Sequence, residues 1–249
     1  MTDKKITSEQ LRRQWQKAAR AWIEGTAAGR NFYREGLLDQ WMLRAVGDVA
    51  GKKIIDLGCG EGRFCRMLAE RGANVIGIDI CRPLIEYASR HGAGDETYIV
   101  GDMEDLGDFD GNSFDMAVSY ISLVDILDYA KAIAEAHRVL KAGGRFVVCN
   151  LQPMCTADNK WLRDENRKQI HFRLDNYFNE GPRGLRMFDV PMINMHRTLS
   201  AYINCFLDTG FVLEGIREPK PSPEQVKRWP HVADNLRVPY FIIYLLRKP

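Results

Sequence analysis

The chain has 249 residues, 45% hydrophobic and 27% charged, which is ordinary globular usage and excludes a disordered or low-complexity polymer. A formal net charge of +2 is too small for a protein that must neutralise many phosphates, so nucleic acid is not an expected partner. No apolar run approaches the roughly 18 residues of a membrane helix, and the six scattered cysteines (59, 65, 81, 149, 155 and 205) contain no CxxC pair, so neither membrane, metal nor disulfide framework is expected.

The start, Met1-Thr-Asp-Lys-Lys, lacks a secretory apolar core, and reduced thiols in a cytoplasmic protein are the expectation. From Ser8, a candidate N-cap, to Gly25, the residues Leu11, Trp15, Ala18, Ala19, Trp22 and Ile23 recur at helical spacing. Residues 31–46 repeat the pattern with Tyr33, Leu37, Leu38, Trp41 and Leu43, so residues 1–50 read as a helical cap. Beyond it the period shortens. Residues 53–57, 74–78, 98–100, 114–119 and 145–149 are short, apolar and β-branched or aromatic, as buried strands are. Helical stretches 62–71, 82–90 and 129–140 lie between them, the last followed by Ala142-Gly143-Gly144, where glycine can take a left-handed cap. Strand and helix alternating in this way predict an α/β fold with a mostly parallel sheet and helices on both faces.

At 151–195 the alternation stops. This stretch mixes aromatic and charged residues with prolines 153, 182 and 191, and reads as an insertion and not a flexible tether. A helix at 198–208 and strands at 211–216 and 240–246 follow, with Ser222-Pro223-Glu224 starting a short helix between them. The whole chain, 1–249, is expected to be one domain.

The first strand runs straight into a glycine-rich turn, Ile54-Ile55-Asp56-Leu57-Gly58-Cys59-Gly60-Glu61-Gly62, and then a helix. Glycines 58, 60 and 62 let a ligand approach the main chain, as in many nucleotide sites. A pyrophosphate would be repelled by Asp56 and Glu61, whereas a cation suits them, and S-adenosylmethionine (SAM) carries a sulfonium and an ammonium against one carboxylate. Asp79 ends the second strand in Ile78-Asp79-Ile80, where an acid can accept ribose hydroxyls, and Gly101-Asp102-Met103 follows the third, where a carboxylate can accept an adenine amino group while the methionine packs on the ring. A tight turn, a helix cap and a core methionine are the plainer readings of these residues.

In these residues the sequence resembles the class I SAM-dependent methyltransferases, particularly the group that includes ubiquinone and menaquinone methylases. Asp56-Leu-Gly-Cys-Gly-Glu-Gly is similar to that family's first motif, Asp79 to its ribose-binding acid and Gly101-Asp102-Met103 to its adenine motif. Residues 113–119, ending in Ser119, resemble the fourth strand, and 137–144 the approach to the fifth. The resemblance implies a Rossmann-like sheet of order 3-2-1-4-5-7-6 with the last strand antiparallel. It implies a SAM-binding core at 51–150, with 196–249 completing the fold, and a product S-adenosylhomocysteine. The cofactor-binding set it suggests is Asp56, Gly58, Cys59, Gly60, Glu61, Gly62, Asp79, Ile80, Asp102, Met103 and Ser119. Ala142 replaces the usual proline, and Cys81 stands where a Ser or Thr cap is commoner.

Methyl transfer is an in-line displacement that needs alignment and, for a protonated nucleophile, a base. His196 is the preferred base, with Arg197 beside it for an acidic substrate group; Tyr120 is a second catalytic candidate at the carboxyl end of the fourth strand. Tyr33, Arg30, Tyr120, His171 and Arg197 are the candidate acceptor-binding residues, and the insertion a candidate lid. The expected partner is a small-molecule acceptor methylated on O, N or C, by a monomer or homodimer. A nucleic-acid or protein methyltransferase is a rival reading, although no Asn-Pro-Pro-aromatic motif follows the fourth strand; a SAM- or nicotinamide-binding module without catalysis is another.

Overall fold

The computed structural model describes residues 6–92, 94 and 96–249, so the reading of the first five residues falls outside it. Helix α1 (Ser8–Ala27) begins one residue earlier than Ser8 suggested: Thr7 is the N-cap, and Gln10 closes a capping box with it. A π-helical turn (Arg34–Leu38) leads into α2 (Asp39–Val46). Then come β1 (Lys53–Leu57), α3 (Arg63–Ala69), β2 (Asn74–Asp79), α4 (Arg82–Arg90), β3 (Glu96–Val100), β4 (Phe114–Tyr120), α5 (Tyr129–Val139) and β5 (Leu140–Leu151). Gly143, at φ +75°, does not cap α5, whose cap is the extended Leu140. It lies instead in a bulge of β5, where Leu140 pairs with Phe114 and Arg145 with Met116.

The insertion folds as a short helix, α6 (Pro153–Thr156), and two hairpins. The first pairs β6 (Asp158–Arg163) with β7 (Gln169–Asp175), and the second pairs β8 (Gly181–Met187) with β9 (Val190–His196). The second hairpin turns through Phe188 and Asp189, both at positive φ, as a two-residue turn matched to strand twist requires. Helix α7 (Leu199–Asp208), β10 (Val212–Arg217), α8 (Pro223–Arg228) and β11 (Phe241–Arg247) complete the chain.

The main sheet runs β3-β2-β1-β4-β5-β11-β10, which is the expected 3-2-1-4-5-7-6 order once the four insertion strands are counted. Strands β1 to β5 are parallel, and β11 is antiparallel to both of its neighbours. Side chains of a strand alternate between faces, and here both faces are covered. Ile54, Met116, Val118, Val147 and Ile243 pack under α2 and α3, while Ile55, Ala117, Phe146, Val148 and Tyr244 pack under α5 and α7. Asp56 shares the face of Ile54, which is why its carboxyl is buried. The carboxyl ends of β1, β2 and β4 open on α1 and the insertion. These two are joined to each other: the Gln14 amide makes both hydrogen bonds with the Ile193 backbone (2.9 and 2.8 Å), and the Phe188 ring packs on Trp22 and Gly25.

Candidate active site

The loop after β1 is held against β2 by hydrogen bonds from the N–H groups of Gly58 and Cys59 to the Ile78 carbonyl (2.8 and 3.0 Å). Asp79 joins three elements. Its Oδ2 accepts the Gly60 N–H (2.9 Å) and its Oδ1 the Cys81 N–H (2.8 Å), so the acid does serve the start of α4, where Cys81 itself provides no side-chain cap. Asp56 points away from the loop; Oδ2 accepts from the Cys65 thiol (3.2 Å), while Oδ1 is buried without a partner among the described residues. Glu61 is likewise turned inward and accepts the Trp22 indole N–H.

Two adjoining cavities lie above the sheet edge. The first follows the glycine loop and is lined by Gly58, Gly60, Asp79, Ile80, Asp102 and Met103, all anticipated, and by Ser8, Leu11, Arg12 and Trp15 of α1. Those α1 side chains leave only about 70 Å³ free, and Arg12 forms an ion pair with Asp102. The second cavity holds about 540 Å³ between α1, the π-helical turn, the insertion and β11. Its wall is mainly aromatic and aliphatic, with Tyr33, Trp161, Phe172 and Tyr240, and its polar groups include Asn31, Arg34, Asp125, Arg186 and Asn194. Trp15, Trp22, Arg34, Ile121 and Asp125 belong to both walls, so the cavities meet there.

Several expected residues lie elsewhere. His196 is fully buried, its Nε2 donating to the Tyr177 carbonyl (2.8 Å) and its Nδ1 facing Thr156 Oγ1 (2.7 Å); it reaches neither cavity, so a ring expected to act as base is a structural one. Arg197 is turned to the protein and lines neither cavity: its guanidinium bonds the carbonyls of Leu123, Ile126 and Leu127 and the Tyr202 hydroxyl, and covers the Tyr129 ring. The Tyr120 side chain points under the sheet, packing on Phe64 and donating to Asp39 (3.1 Å), and so does not face an acceptor. Arg30 lies over Phe188, and His171 is exposed on β7; neither lines a cavity. Cys59 and Glu61 pack behind the loop, Gly62 caps α3, and Ser119 hydrogen-bonds Ser122 (2.7 Å), so these support the cleft without lining it.

Two residues at the junction carry no sequence motif. Arg34 sits in the π-helical turn, an irregularity often found at functional sites, with its guanidinium over the rings of Trp22 and Tyr120 and bonded to the Tyr120 carbonyl (3.0 Å). Asp125 lies beyond β4 and accepts a 2.8 Å hydrogen bond from Asn194 Nδ2 of the insertion. An irregular turn and a loop acid have no periodicity to reveal them.

A family described as "Methyltransferase domain" matches residues 55–148, the stretch from β1 to β5. The crystal structure of a SAM-dependent methyltransferase from Mesorhizobium loti is 31% identical, with a TM-score of 0.74 over 83% of this chain and 96% of that one. The chain belongs to the SAM-dependent methyltransferases. A demethylmenaquinone methyltransferase of Clavibacter sepedonicus is 39% identical over 108 residues, and a ubiquinone biosynthesis O-methyltransferase of Alkalilimnicola ehrlichii 30% over 114. This methyltransferase spans less than half the length of each of these two relatives, 44% and 46% respectively.

The residues around the glycine loop fit the family's cationic cofactor. Burial raises the Asp56 carboxyl to about 7 and the Asp79 carboxyl to about 6, and Asp79 and Glu61 add repulsion to the first, Glu61 to the second. Burial raises Asp125 to about 8, with Asp79 opposing its ionisation and Arg34 and Arg197 favouring it. Four acids, Asp79, Asp102, Glu104 and Asp125, line the glycine-loop cleft against two cations, Arg12 and Arg34, so among the described residues the cleft is short of positive charge. A sulfonium and an ammonium supply it.

A pH dependence follows. An acid whose folded pKa is raised contributes stability that is complete below its unfolded value near 4 and is lost as pH rises through the folded value. His137 and His196, lowered chiefly by burial, act in the opposite sense, but only below about pH 6.5. Between about pH 6.5 and 8.5 Asp56 and Asp125 dominate. The melting temperature of the cofactor-free methyltransferase should therefore fall across that interval, and the rise on adding SAM should be larger at the alkaline end. Differential scanning calorimetry checks both; a melting temperature that climbs from pH 6.5 to 8.5 contradicts the assignment.

Proposed function

We propose that this methyltransferase moves the methyl group of SAM to a small, largely apolar acceptor with an aromatic ring, held in the cavity of about 540 Å³ between α1, the insertion and β11. The observation that carries this reading is the shared wall: a glycine-loop cleft and a mainly aromatic cavity open on each other at Trp15, Trp22, Arg34, Ile121 and Asp125. The volume lies within the roughly 300–1,000 Å³ of small-molecule sites. The names of the relatives that act in quinone biosynthesis are consistent with a ring-bearing acceptor.

In this reading Asp79 takes the ribose hydroxyls with its remaining lone pairs, and Gly58 and Gly60 let the amino-acid part approach the loop. Asp102 and Met103 receive the adenine, which requires Arg12 to leave Asp102 and α1 to lift from the cleft. The cofactor supplies an electrophilic methyl on a positively charged sulfur. The protein's part is alignment and exclusion of water, for which α1 and the two hairpins form a cover. The Trp161, Phe172 and Tyr240 rings would stack an aromatic acceptor, and Arg34 and Arg186 would attract a phenolate or carboxylate on it. The small cavity, enclosed by hairpins, and the net charge of +2 favour this acceptor over a nucleic acid.

The test is SAM titration by calorimetry together with transfer of a labelled methyl group to a panel of demethylated quinones and hydroxylated aromatic acids. Asp79→Ala is expected to weaken SAM binding by roughly 1 to 3 kcal/mol, about five- to 150-fold, the scale of a lost charge-assisted hydrogen bond. Unchanged affinity in that variant removes the ribose assignment, and absence of SAM binding to the unaltered protein removes the function.

A further inference from the structure

We propose that Asp125 is the proton acceptor of this site, a carboxyl that ionises when the cofactor binds and then takes the proton that the acceptor sheds. The inference rests on the cofactor reading above and adds a residue to it. Asp125 is one of the few groups on the walls of both cavities, and among the described residues it is the only carboxylate on the wall of the larger one. A group that removes a proton from an acceptor while facing a positively charged donor must occupy that junction.

Its position is fixed from three sides. The Asn194 amide donates to its Oδ1 (2.8 Å) from β9, the Trp15 indole reaches it from α1, and its own backbone N–H bonds the Ser122 carbonyl (2.9 Å). The charged groups that act on it are Asp79 at the end of β2, Arg34 in the π-helical turn and Arg197 after β9. Arg197 is spent on three loop carbonyls and Arg34 on the Tyr120 carbonyl and two rings, so neither forms an ion pair with Asp125 among the described residues. With burial as the main cause, the carboxyl is raised to about 8, which favours its neutral form in the cofactor-free protein. A positive charge brought beside it favours the carboxylate and makes it a base only when a methyl donor is present.

The step balances. The acceptor's O–H or N–H bond gives its proton to an Asp125 oxygen, the electron pair left on that O or N forms the new bond to the methyl carbon, and the carbon–sulfur bond breaks with its pair on a now neutral sulfur.

Calorimetric titration with SAM at pH 7 in two buffers of different ionisation enthalpy counts the protons released. The unaltered protein should release about one proton more per cofactor than Asp125→Asn, which keeps the size and an oxygen that can accept from Asn194. S-adenosylhomocysteine, which lacks the sulfonium, should release markedly fewer protons than SAM from the unaltered protein and show no such difference between the two proteins. Asn194→Ala, which leaves the carboxyl in place but loosens it, should retain the SAM-linked proton release. Equal proton counts for the unaltered protein and Asp125→Asn, or equal counts for SAM and S-adenosylhomocysteine, overturn the role of Asp125 alone. No heat with SAM in any of the proteins overturns the cofactor reading, and the inference with it.

Discussion

Gly58→Ala is expected to abolish measurable SAM binding and to lower stability by roughly 2 to 5 kcal/mol, from about 1 to 2 for a left-handed backbone and 1 to 3 for overpacking. Gly58 has φ +78°, and a Cβ there would lie 2.4 Å from Ser122 Cβ and 2.8 Å from Met103 Cε. Met103 is flexible at its end and can yield. Ser122 cannot yield easily, because its Oγ donates to the Leu57 carbonyl (2.6 Å) and also meets Ser119 Oγ (2.7 Å). The loop must therefore shift into the cleft, toward the space a ligand would use. Gly143→Ala is the control: its φ is +75°, but nothing among the described residues lies within 4 Å of the added carbon. That variant should lose about 1 to 2 kcal/mol from backbone strain and bind SAM normally. Calorimetry with SAM and thermal melting of both variants separate strain from close approach. Normal SAM affinity in Gly58→Ala would show that the loop does not contact the cofactor.

Arg197→Ala should be the most damaging change outside the glycine loop, lowering stability by about 3 kcal/mol or more, with a fall in melting temperature of roughly 6 to 12 °C. The buried guanidinium donates to the carbonyls of Leu123 (3.0 Å), Ile126 (2.6 Å) and Leu127 (3.0 Å). Its removal leaves those acceptors without their partner and uncovers the ring of Tyr129, whose centroid is 4.3 Å from the guanidinium carbon. Residues 123–127 carry Asp125, so SAM-linked proton release should weaken along with the fold. Arg197→Lys should recover little, because one ammonium cannot span three carbonyls in the fork geometry of arginine. A melting temperature within about 2 °C of the unaltered protein would show that water replaces the guanidinium without loss.

The strands and the glycine loop were legible in the sequence because each rests on local chemistry, whereas the order of the strands came from the resemblance to a family. Ile54 and Ile55 are both apolar because a parallel sheet buries both faces, and glycines 58, 60 and 62 stand where positive φ is required. Asp79, Asp102 and Met103 line the cleft for the same reason: ends of parallel strands converge on one edge, so spacing along the chain translates into position. The insertion was recognisable as ordered from its aromatic content, but its division into two hairpins was not, since β6 and β7 are largely exposed and lack a clean alternation.

Side-chain roles beyond the loop were decided by the tertiary structure. His196 and Arg197 look like a base and an anion binder when read as neighbours in a chain, yet His196 is buried against Thr156 and Tyr177 and Arg197 against the 123–127 loop, and those contacts take up their hydrogen bonds. Arg34 and Asp125 are 91 positions apart in sequence and meet only because a π-helical turn and the loop after β4 face the same gap. Sequence alone determined the individual strands and the cofactor-facing loop, whose requirements are met by residues a few positions apart. What borders the acceptor cavity depends on which long-range surfaces pack together, and hydrogen-bond partners hundreds of atoms away along the chain leave no mark in local pattern.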